Sequence, residues 1–500
     1  HPETLSDMLT RGKTNAPALG GSGTAELAYG ELRATVGKAG SALAGRGVPS
    51  KARIAIVFPN GPAAAAAFLA AASSWTACPL NPAYTADEFR FALTDLGAHA
   101  VLVPVEGAAP AVTKAAADCG VPLVPVHQDS GTAGSIRIDG PAGIAPCPEP
   151  GDESLALHTS GTTARPKLVP LRHRNLCASG HNISAALELT TNDRCLSAMP
   201  LFHVHGLVAA LLASLYAGGS VWCAPGFNPL RFHSWVTEAD ATWMTAVPTM
   251  YQTLLSRAER NIDSIAAHPF RLLRSSSAAM PTPVLSRLET VFRAPVLESY
   301  GMTEAAQQIC ANPPPPGIRK PGSVGPAAGP EVAILDGQGH RVGPEVAGEV
   351  AIRGANVIDG YAANDTANAT AFTVDGWFRT GDWGRLDNDG YLFLEGRIKE
   401  IINRGGEKLS PAEIEDALLA HPKVREAVAF SVPHRTLGED VAAAVVADDI
   451  SDTKLKKFVS ERLAAFKVPR TVLFVDELPK GPTGKVSRIE MAARLGLDVS

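Results

Sequence analysis

The chain has 500 residues, 45% hydrophobic and 19% charged, so it is globular, too long for one core, and divides into a large unit and a smaller one. With 45 basic against 50 acidic residues and a formal charge of −5, it has no broad basic field, which argues against a nucleic-acid partner. Its seven cysteines are scattered, odd in number and never spaced C-x-x-C, which speaks against a disulfide or zinc framework and fits reduced thiols in a cytosol.

From Leu5 to about Gly329, Ala/Leu-rich helical stretches alternate with short β-branched runs such as Ala52 to Phe58, the pattern of α/β layers with largely parallel strands. Two apolar stretches, Pro62 to Trp75 and Leu207 to Trp222, are short, Ala-rich and broken by Ser or Gly, so they are expected to be buried helices rather than membrane spans. No secretory signal is visible, and a cytoplasmic location is expected. Pro313 to Pro316 marks a rigid loop. Between Val324 and Leu394 the strands become short and Gly-bounded, as in Gly348 to Gly354 and Gly390 to Gly396, which predicts an antiparallel barrel or meander.

After Arg397 the texture changes again. Ser410, Pro411 and Glu413 supply an N-cap, a first-turn proline and a capping-box carboxylate, so a helix starts there. Leu455, Phe458, Val459 and Leu463 mark a second helix, and Val428 to Val432 and Val441 to Val446 read as strands. The expected division is 1–398 and 399–500, the latter a compact α+β domain.

Five segments carry chemistry. His158 to Lys167 follows a strand-like Ser154 to Leu157 and packs hydroxyls around Gly161 before ending on Lys167, a loop able to offer N–H groups, hydroxyls and one cation to a polyphosphate. It is not the ordinary P-loop, which needs G-x-x-x-x-G-K-[ST] opening a helix. Ser299 to Glu304 sets an aromatic face, a glycine, a hydroxyl and a carboxylate in succession, suited to a base, a phosphate and Mg²⁺. Asp389-Gly390 signals a hairpin turn, which brings Asp382 and Arg397 to the same end of the hairpin, where carboxylate and guanidinium suit a ribose and its phosphate. A structural salt bridge would have the same geometry. Finally, Pro482 to Lys485 holds one lysine in a Gly/Pro-rich loop.

In this order the segments Thr159 to Thr163, Tyr300 to Glu304, Thr380 to Asp382, Gly396 to Lys399 and Pro482 to Lys485 resemble the superfamily of acyl-CoA synthetases, peptide-synthetase adenylation domains and beetle luciferases, from about Leu5 to Arg488. The resemblance implies an α/β fold, with a large N-terminal domain of two α/β subdomains plus a small antiparallel β-barrel and a smaller, mobile C-terminal domain. It also implies an ATP-dependent carboxylate:CoA ligase that forms acyl-AMP and then acyl-CoA, using ATP, Mg²⁺ and coenzyme A, as a monomer or homodimer.

By the same resemblance Thr159, Ser160, Gly161, Thr162, Thr163 and Lys167 would hold the β and γ phosphates. Ser277 and Ala278 would line the adenine with Tyr300 against it; Thr303 would touch the α-phosphate and Glu304 would bind Mg²⁺. Asp382 and Arg397 would take the ribose, and Lys485 would bridge acid and α-phosphate. Lys399 would be the hinge, and Asn403 to Lys408, including Gly405 and Gly406, would line the pantetheine path. Leu168 departs from the family's usual Gly and adds bulk beside the phosphates.

His203, in the run Leu201 to Gly206, falls where the family keeps a gating histidine; His205 on its own reads as a satisfied core imidazole. Ser275, Ser276, Gly301 and Met302 complete the expected acid pocket, with Ser276 replacing a usual Gly and favouring a small or polar acid. The runs Pro200 to Leu207, Thr245 to Thr249, Lys320 to Gly325 and Ile402 to Lys408 resemble the oxalyl-CoA synthetases of plants and fungi, whereas Gly301, Gln307 and Gln308 depart from them. Short-chain, aryl and fatty acids stay open as substrates, as do a stand-alone adenylation enzyme with a separate carrier and a nucleotide-binding pseudoenzyme.

Overall fold

The β-branched run expected as a strand forms Arg53–Ile56, flanked by Thr76–Pro79 and Ala100–Pro104 in parallel register. The computed structural model describes residues 1–159, 166–405, 407–479, 486, 488–489 and 491–497, without the side chains of Glu259 and Lys408. These three strands centre a seven-stranded sheet that runs from Ile136–Ile138 to the antiparallel pair Glu153–His158 and Leu168–Arg172. A second sheet of eight strands has Val296–Tyr300, Leu272–Ser275, Trp243–Ala246, Arg194–Ser197 and Ser220–Cys223 as parallel neighbours. Near-continuous apolar strands suit such sheets because both faces are covered.

The alanine-rich stretch becomes the helix Pro62–Ala72, with Ala65 through Ala72 at most 1% exposed. It packs against strands of both large sheets, and its short side chains let it fit where a leucine-rich helix would need more room. The second apolar stretch divides: His205–Leu212 is a π-helix, Ala213–Tyr216 an α-helix, and Ser220–Cys223 a strand. The expectation of one buried helix is corrected there, because Gly218, at φ 74, breaks the run and a buried apolar segment has no period that separates helix from strand. Among the described residues no helix is long and apolar enough to cross a membrane. Five of the seven cysteines are buried, and all seven are free thiols.

Beyond Gly329 the chain forms a four-stranded antiparallel meander, Glu331–Leu335, Gly348–Arg353, Phe378–Leu386 and Leu392–Arg397. Leu392 also exchanges backbone hydrogen bonds with Val324 and Gly325, so the last strand continues onto the preceding segment. The remaining sheet has five strands, Ile402–Arg404, Glu407–Leu409, Val424–His434, Gly438–Ala447 and Thr471–Phe474, covered by the helices Pro411–Leu419 and Asp452–Ser460. Ser410 caps the first of these with its hydroxyl 3.4 Å from the Glu413 amide. Glu413 does not close the expected capping box; its carboxylate takes the Lys467 ammonium at 2.7 Å.

Candidate active site

The hairpin register sets the first group of residues. Leu386 pairs with Leu392 across a connection in which Gly390, at φ 79, makes the turn, and a one-residue register shift between Trp383 and Gly384 brings Asp382 opposite Arg397. Asp382 is 5% exposed, and its Oδ1 accepts from Arg397 Nε at 2.8 Å. The Tyr300 hydroxyl, at the end of Val296–Tyr300, donates to Asp382 Oδ2. Burial pushes the Asp382 carboxyl above its ordinary value, against the pull of Arg397 and the hydroxyl. Each oxygen spends one lone pair on these bonds and keeps another for a hydroxyl donor.

Thr159 and Lys167 close the neck of a hairpin: the Thr159 amide donates to the Lys167 carbonyl at 2.9 Å, and the Lys167 amide lies 3.3 Å from Thr159 Oγ1. Ser160, Gly161, Thr162 and Thr163 lie outside the described residues, as do Gly406, Lys485 and the Lys408 side chain. The loop thus joins two antiparallel strands, Glu153–His158 and Leu168–Arg172, and is not the strand-to-helix turn of a P-loop. Leu168 is 6% exposed and packs into a core with Val57, Leu80 and Ala156. Its bulk therefore enters the sheet's packing; the expectation that it crowds the phosphates is corrected.

Lys167 Nζ sits 4.4 Å above the centre of the Tyr361 ring, and the Tyr361 hydroxyl donates to Glu304 Oε1 at 2.9 Å. Tyr361 therefore ties the loop's cation to the expected metal carboxylate. Nothing in the sequence around it announces this role. Thr303 opens the 3₁₀ turn Thr303–Ala305 that holds the 8% exposed Glu304 in place. Among the described residues no group of three or more His, Cys, Asp or Glu side chains could hold a metal ion alone. A single buried carboxylate with one oxygen beyond its Tyr361 bond suits Mg²⁺, which binds through one or two carboxylates together with phosphate oxygens and water.

The segment expected to hold the acid forms around the end of Leu272–Ser275. Ser277 adopts φ 73, a left-handed conformation rare for a serine and a mark of a constrained site, and Ala278 beside it is exposed. His205 stands at the start of the π-helix, 3% exposed, with Nδ1 3.0 Å from Ser277 Oγ and Nε2 2.6 Å from Thr245 Oγ1. The imidazole expected as plain core thus joins the strand Trp243–Ala246 to the segment expected to line the adenine, while His203 lies against the Phe202 ring at 4.9 Å. Ser276 turns inward: its hydroxyl donates to the Ser299 carbonyl at 3.0 Å and accepts from Gln307 Nε2 at 3.1 Å. It adds no free donor to the pocket. Ser275 is 2% exposed, on the opposite face of its strand from Arg274. Gly301 has no room for a side chain, because a Cβ would lie 1.3 Å from the Gln307 carbonyl oxygen, while Met302 accepts the Gln307 amide at 2.9 Å.

The smaller domain presents three further positions. Lys399 is exposed in the turn between Leu392–Arg397 and Ile402–Arg404. Gly405, at φ 61, begins the turn of a tight hairpin in which Arg404 pairs with Glu407. Arg488, three residues after Lys485, grips Glu415 with Nε and Nη2 at 2.9 and 2.8 Å and reaches Glu400 with Nη1 at 2.9 Å.

This arrangement can be set beside known proteins. A model of the AMP-binding enzyme family matches residues 9–362, and one of the AMP-binding enzyme C-terminal domain matches 413–485. The chain belongs to the AMP-binding enzyme family. The oxalate–CoA ligase of Arabidopsis thaliana is 43% identical over 97% of this chain and 97% of its own length. The oxalate–CoA ligase of Saccharomyces cerevisiae is 40% identical over 87% of this chain and 85% of its own. The crystal structure of ATP-bound MatB from Rhodopseudomonas palustris superposes with a TM-score of 0.89 at 30% identity, covering 99% of this chain and 98% of that one. Within this AMP-binding enzyme the residues missed by sequence reasoning are Thr245, Arg274 and Tyr361, each on a segment whose neighbours in space are distant in sequence.

Proposed function

We propose that the chain is an AMP-forming carboxylate:CoA ligase whose acid is oxalate, working in the cytoplasm with ATP, Mg²⁺ and coenzyme A. The observation that carries the ligase reading is the Tyr300–Asp382–Arg397 cluster, a buried carboxylate with lone pairs to spare beside a half-exposed guanidinium. It suits the ribose of ATP, with Ser277 and Ala278 beside the adenine. Thr303, the Thr159–Lys167 loop and Glu304 would follow along the triphosphate. Mg²⁺ held at Glu304 would neutralise phosphate charge.

In the first half-reaction a carboxylate oxygen of the acid attacks the α-phosphorus, the bond to the bridging oxygen breaks and pyrophosphate leaves. Lys485 would stabilise the charge that gathers at phosphorus. In the second, the thiol of coenzyme A loses its proton and attacks the acyl carbon, and AMP departs. No protein nucleophile is needed, since the adenylate itself makes the carboxyl electrophilic. We place the domain boundary at 398/399, with Lys399 as the hinge and Gly405, Gly406 and Lys408 along the thiol's path; His203 gates the acid.

Oxalate is supported by the two oxalate–CoA ligases among the relatives and by the hydrogen-bonding groups around His205 and Ser277. A screen of pyrophosphate release over a panel of acids, with and without coenzyme A, tests the reading. Oxalate is expected to give the highest kcat/KM and to form a thioester only when coenzyme A is present. Faster turnover of octanoate or benzoate overturns the assignment.

A further inference from the structure

Beneath the acid pocket lies a cation without a counter-charge. Arg274 is 0% exposed, on the face of its strand that it shares with Leu272, and it makes no ion pair among the described residues. Glu298 on the next strand pairs with Ser275, one residue along, and so faces the other side of the sheet. Burial lowers the guanidinium only to about 10, so it stays charged at neutral pH; the groups that act on it are Tyr251 and Cys195, whose own values burial raises. Interior charges are ordinarily paired, because an uncompensated one is strongly destabilising.

The hydrogen bonds around Arg274 have a fixed direction, because a guanidinium only donates. Nη1 donates to Thr245 Oγ1 at 3.1 Å, and the Thr245 hydroxyl, which keeps a second lone pair and its own proton, also bonds His205 Nε2 at 2.6 Å. In the tautomer in which the Thr245 hydroxyl donates to Nε2, neutral His205 carries its proton on Nδ1 and donates to Ser277 Oγ, which leaves the Ser277 hydroxyl proton to point elsewhere. On the other side Nη2 donates to Gln307 Oε1 at 2.9 Å and Gln308 Oε1 at 3.0 Å, turning both amide nitrogens away from itself. Gln307 Nε2 lies beside Gly301 and Ser276. Arg274 Nε and Gln308 Nε2 are buried with no hydrogen-bond partner among the described residues. The outcome is a buried cluster with one net positive charge and two unanswered donors, Arg274 Nε and Gln308 Nε2, beside the segments read as the acid pocket.

We propose that Arg274 is the specificity-determining cation of this site, matched to the second anionic group of a small dianionic acid. It acts through its Nε and through the donors it aligns on Ser277, Gln307 and Gln308. This rests on the reading of the segment as an acid pocket. While one carboxylate of the acid attacks phosphorus, the other stays ionised and completes the donors that the protein leaves open. A monocarboxylate leaves the guanidinium and amides unanswered, the circumstance in which binding sites discriminate by ~10⁴-fold or more.

The test uses the full chain with ATP and Mg²⁺ and compares kcat/KM for oxalate, malonate and sulfoacetate with that for acetate and butyrate in pyrophosphate release. Arg274→Met is expected to lower the dianion-to-monocarboxylate ratio by at least ~100-fold, with Arg274→Lys recovering part of it. Oxalate should also raise the melting temperature of the wild type more than acetate does, and should lose that advantage in Arg274→Met. An unchanged ratio, or equal loss toward every acid, makes Arg274 a structural residue and overturns the proposal while leaving the oxalate reading intact. A wild type that prefers malonate or sulfoacetate to oxalate has the reverse meaning: the oxalate reading fails and the role of Arg274 stands. If Arg274→Met does not fold, Arg274→Lys and Gln308→Met are read for the same ratio, and no change in either overturns it.

Discussion

Asp382→Asn keeps the shape of the residue at the centre of the proposed ribose clamp and removes its charge. Arg397 is half exposed, with 51% of its side chain accessible, so losing this ion pair alters stability by no more than ~1 kcal/mol. The expected effect on the nucleotide is larger. A carboxylate that accepts from two ribose hydroxyls makes two charge-assisted hydrogen bonds, each contributing ~1.5–3 kcal/mol. Their sum corresponds to a loss of about 10²- to 10⁴-fold in kcat/KM for ATP. The introduced amide would turn its nitrogen toward Tyr300, because its oxygen must face the Arg397 donor, and one hydroxyl would then meet a donor in place of an acceptor. The assay is pyrophosphate release at saturating oxalate with ATP, 2′-deoxy-ATP and 3′-deoxy-ATP. If Asp382 holds the ribose, a deoxy nucleotide that has already lost the contact costs the variant little more, so the two losses do not multiply. Losses that multiply would show that Asp382 and the ribose hydroxyls act independently, and the clamp would be a structural salt bridge.

Lys485→Ala is expected to abolish acid-dependent pyrophosphate release while still converting supplied acyl-adenylate and coenzyme A to thioester; equal loss of both half-reactions counts against the assignment. Lys399→Pro should do the reverse, since Lys399 is exposed and its N–H makes no backbone hydrogen bond among the described residues, so the ring fixes φ without breaking a contact. Unchanged coenzyme A-dependent turnover would mean that no rotation is needed there. Gly301→Ala places a methyl 1.3 Å from the Gln307 carbonyl oxygen, and the shift it forces should cost ~1–3 kcal/mol of stability and raise KM for the acid more than for ATP. Burial pushes the Glu298 carboxyl up to about 8, above its unfolded value near 4.5, so the stability it confers is complete below that lower value and is lost as pH rises through 8. The melting temperature should therefore fall between pH 5 and 8, by an amount equivalent to at most ~5 kcal/mol, and Glu298→Gln should flatten the profile.

The parts of the site legible in the sequence are those whose geometry is local. A turn at Asp389-Gly390 brings the residues about seven positions away on either side to the same end of the hairpin, so Asp382 and Arg397 could be expected together, although a register shift between Trp383 and Gly384 completes their pairing. The same holds for the helix start at Ser410, although Glu413 could not be placed, because Lys467 reaches it from 54 residues along the chain. The proposed acid pocket is different. Thr245, Arg274 and the Gln307–Gln308 pair lie on separate segments, and only the parallel order of neighbouring strands puts Thr245 beside Arg274. An arginine inside an apolar strand carries no periodic signal of what it faces. Leu168 shows the same limit from the other side: its chemistry is plain, but whether it points at phosphate or core depends on strand pairing.

The strand Leu392–Arg397 carries Arg397, the proposed ribose residue, at its end, and the proposed hinge begins two residues later. Glu400, in that turn, lies close enough to Asp382 and Arg397 to act on the charge of both, and it is also held by Arg488. Arg488 in turn fastens Glu415 on the first helix of the smaller domain. Glu400 and Arg488 both follow Lys399, so a rotation about the proposed hinge would carry the pair together and take the Glu400 carboxylate away from Arg397. The guanidinium would then keep Asp382 as its carboxylate partner and lose the influence of Glu400, so the charge around it would depend on which domain arrangement is present. If the domains rotate as proposed, the two half-reactions are coupled at the nucleotide as well as at the acid: the turn that allows the thiol's approach also withdraws a negative charge from beside the proposed ribose clamp.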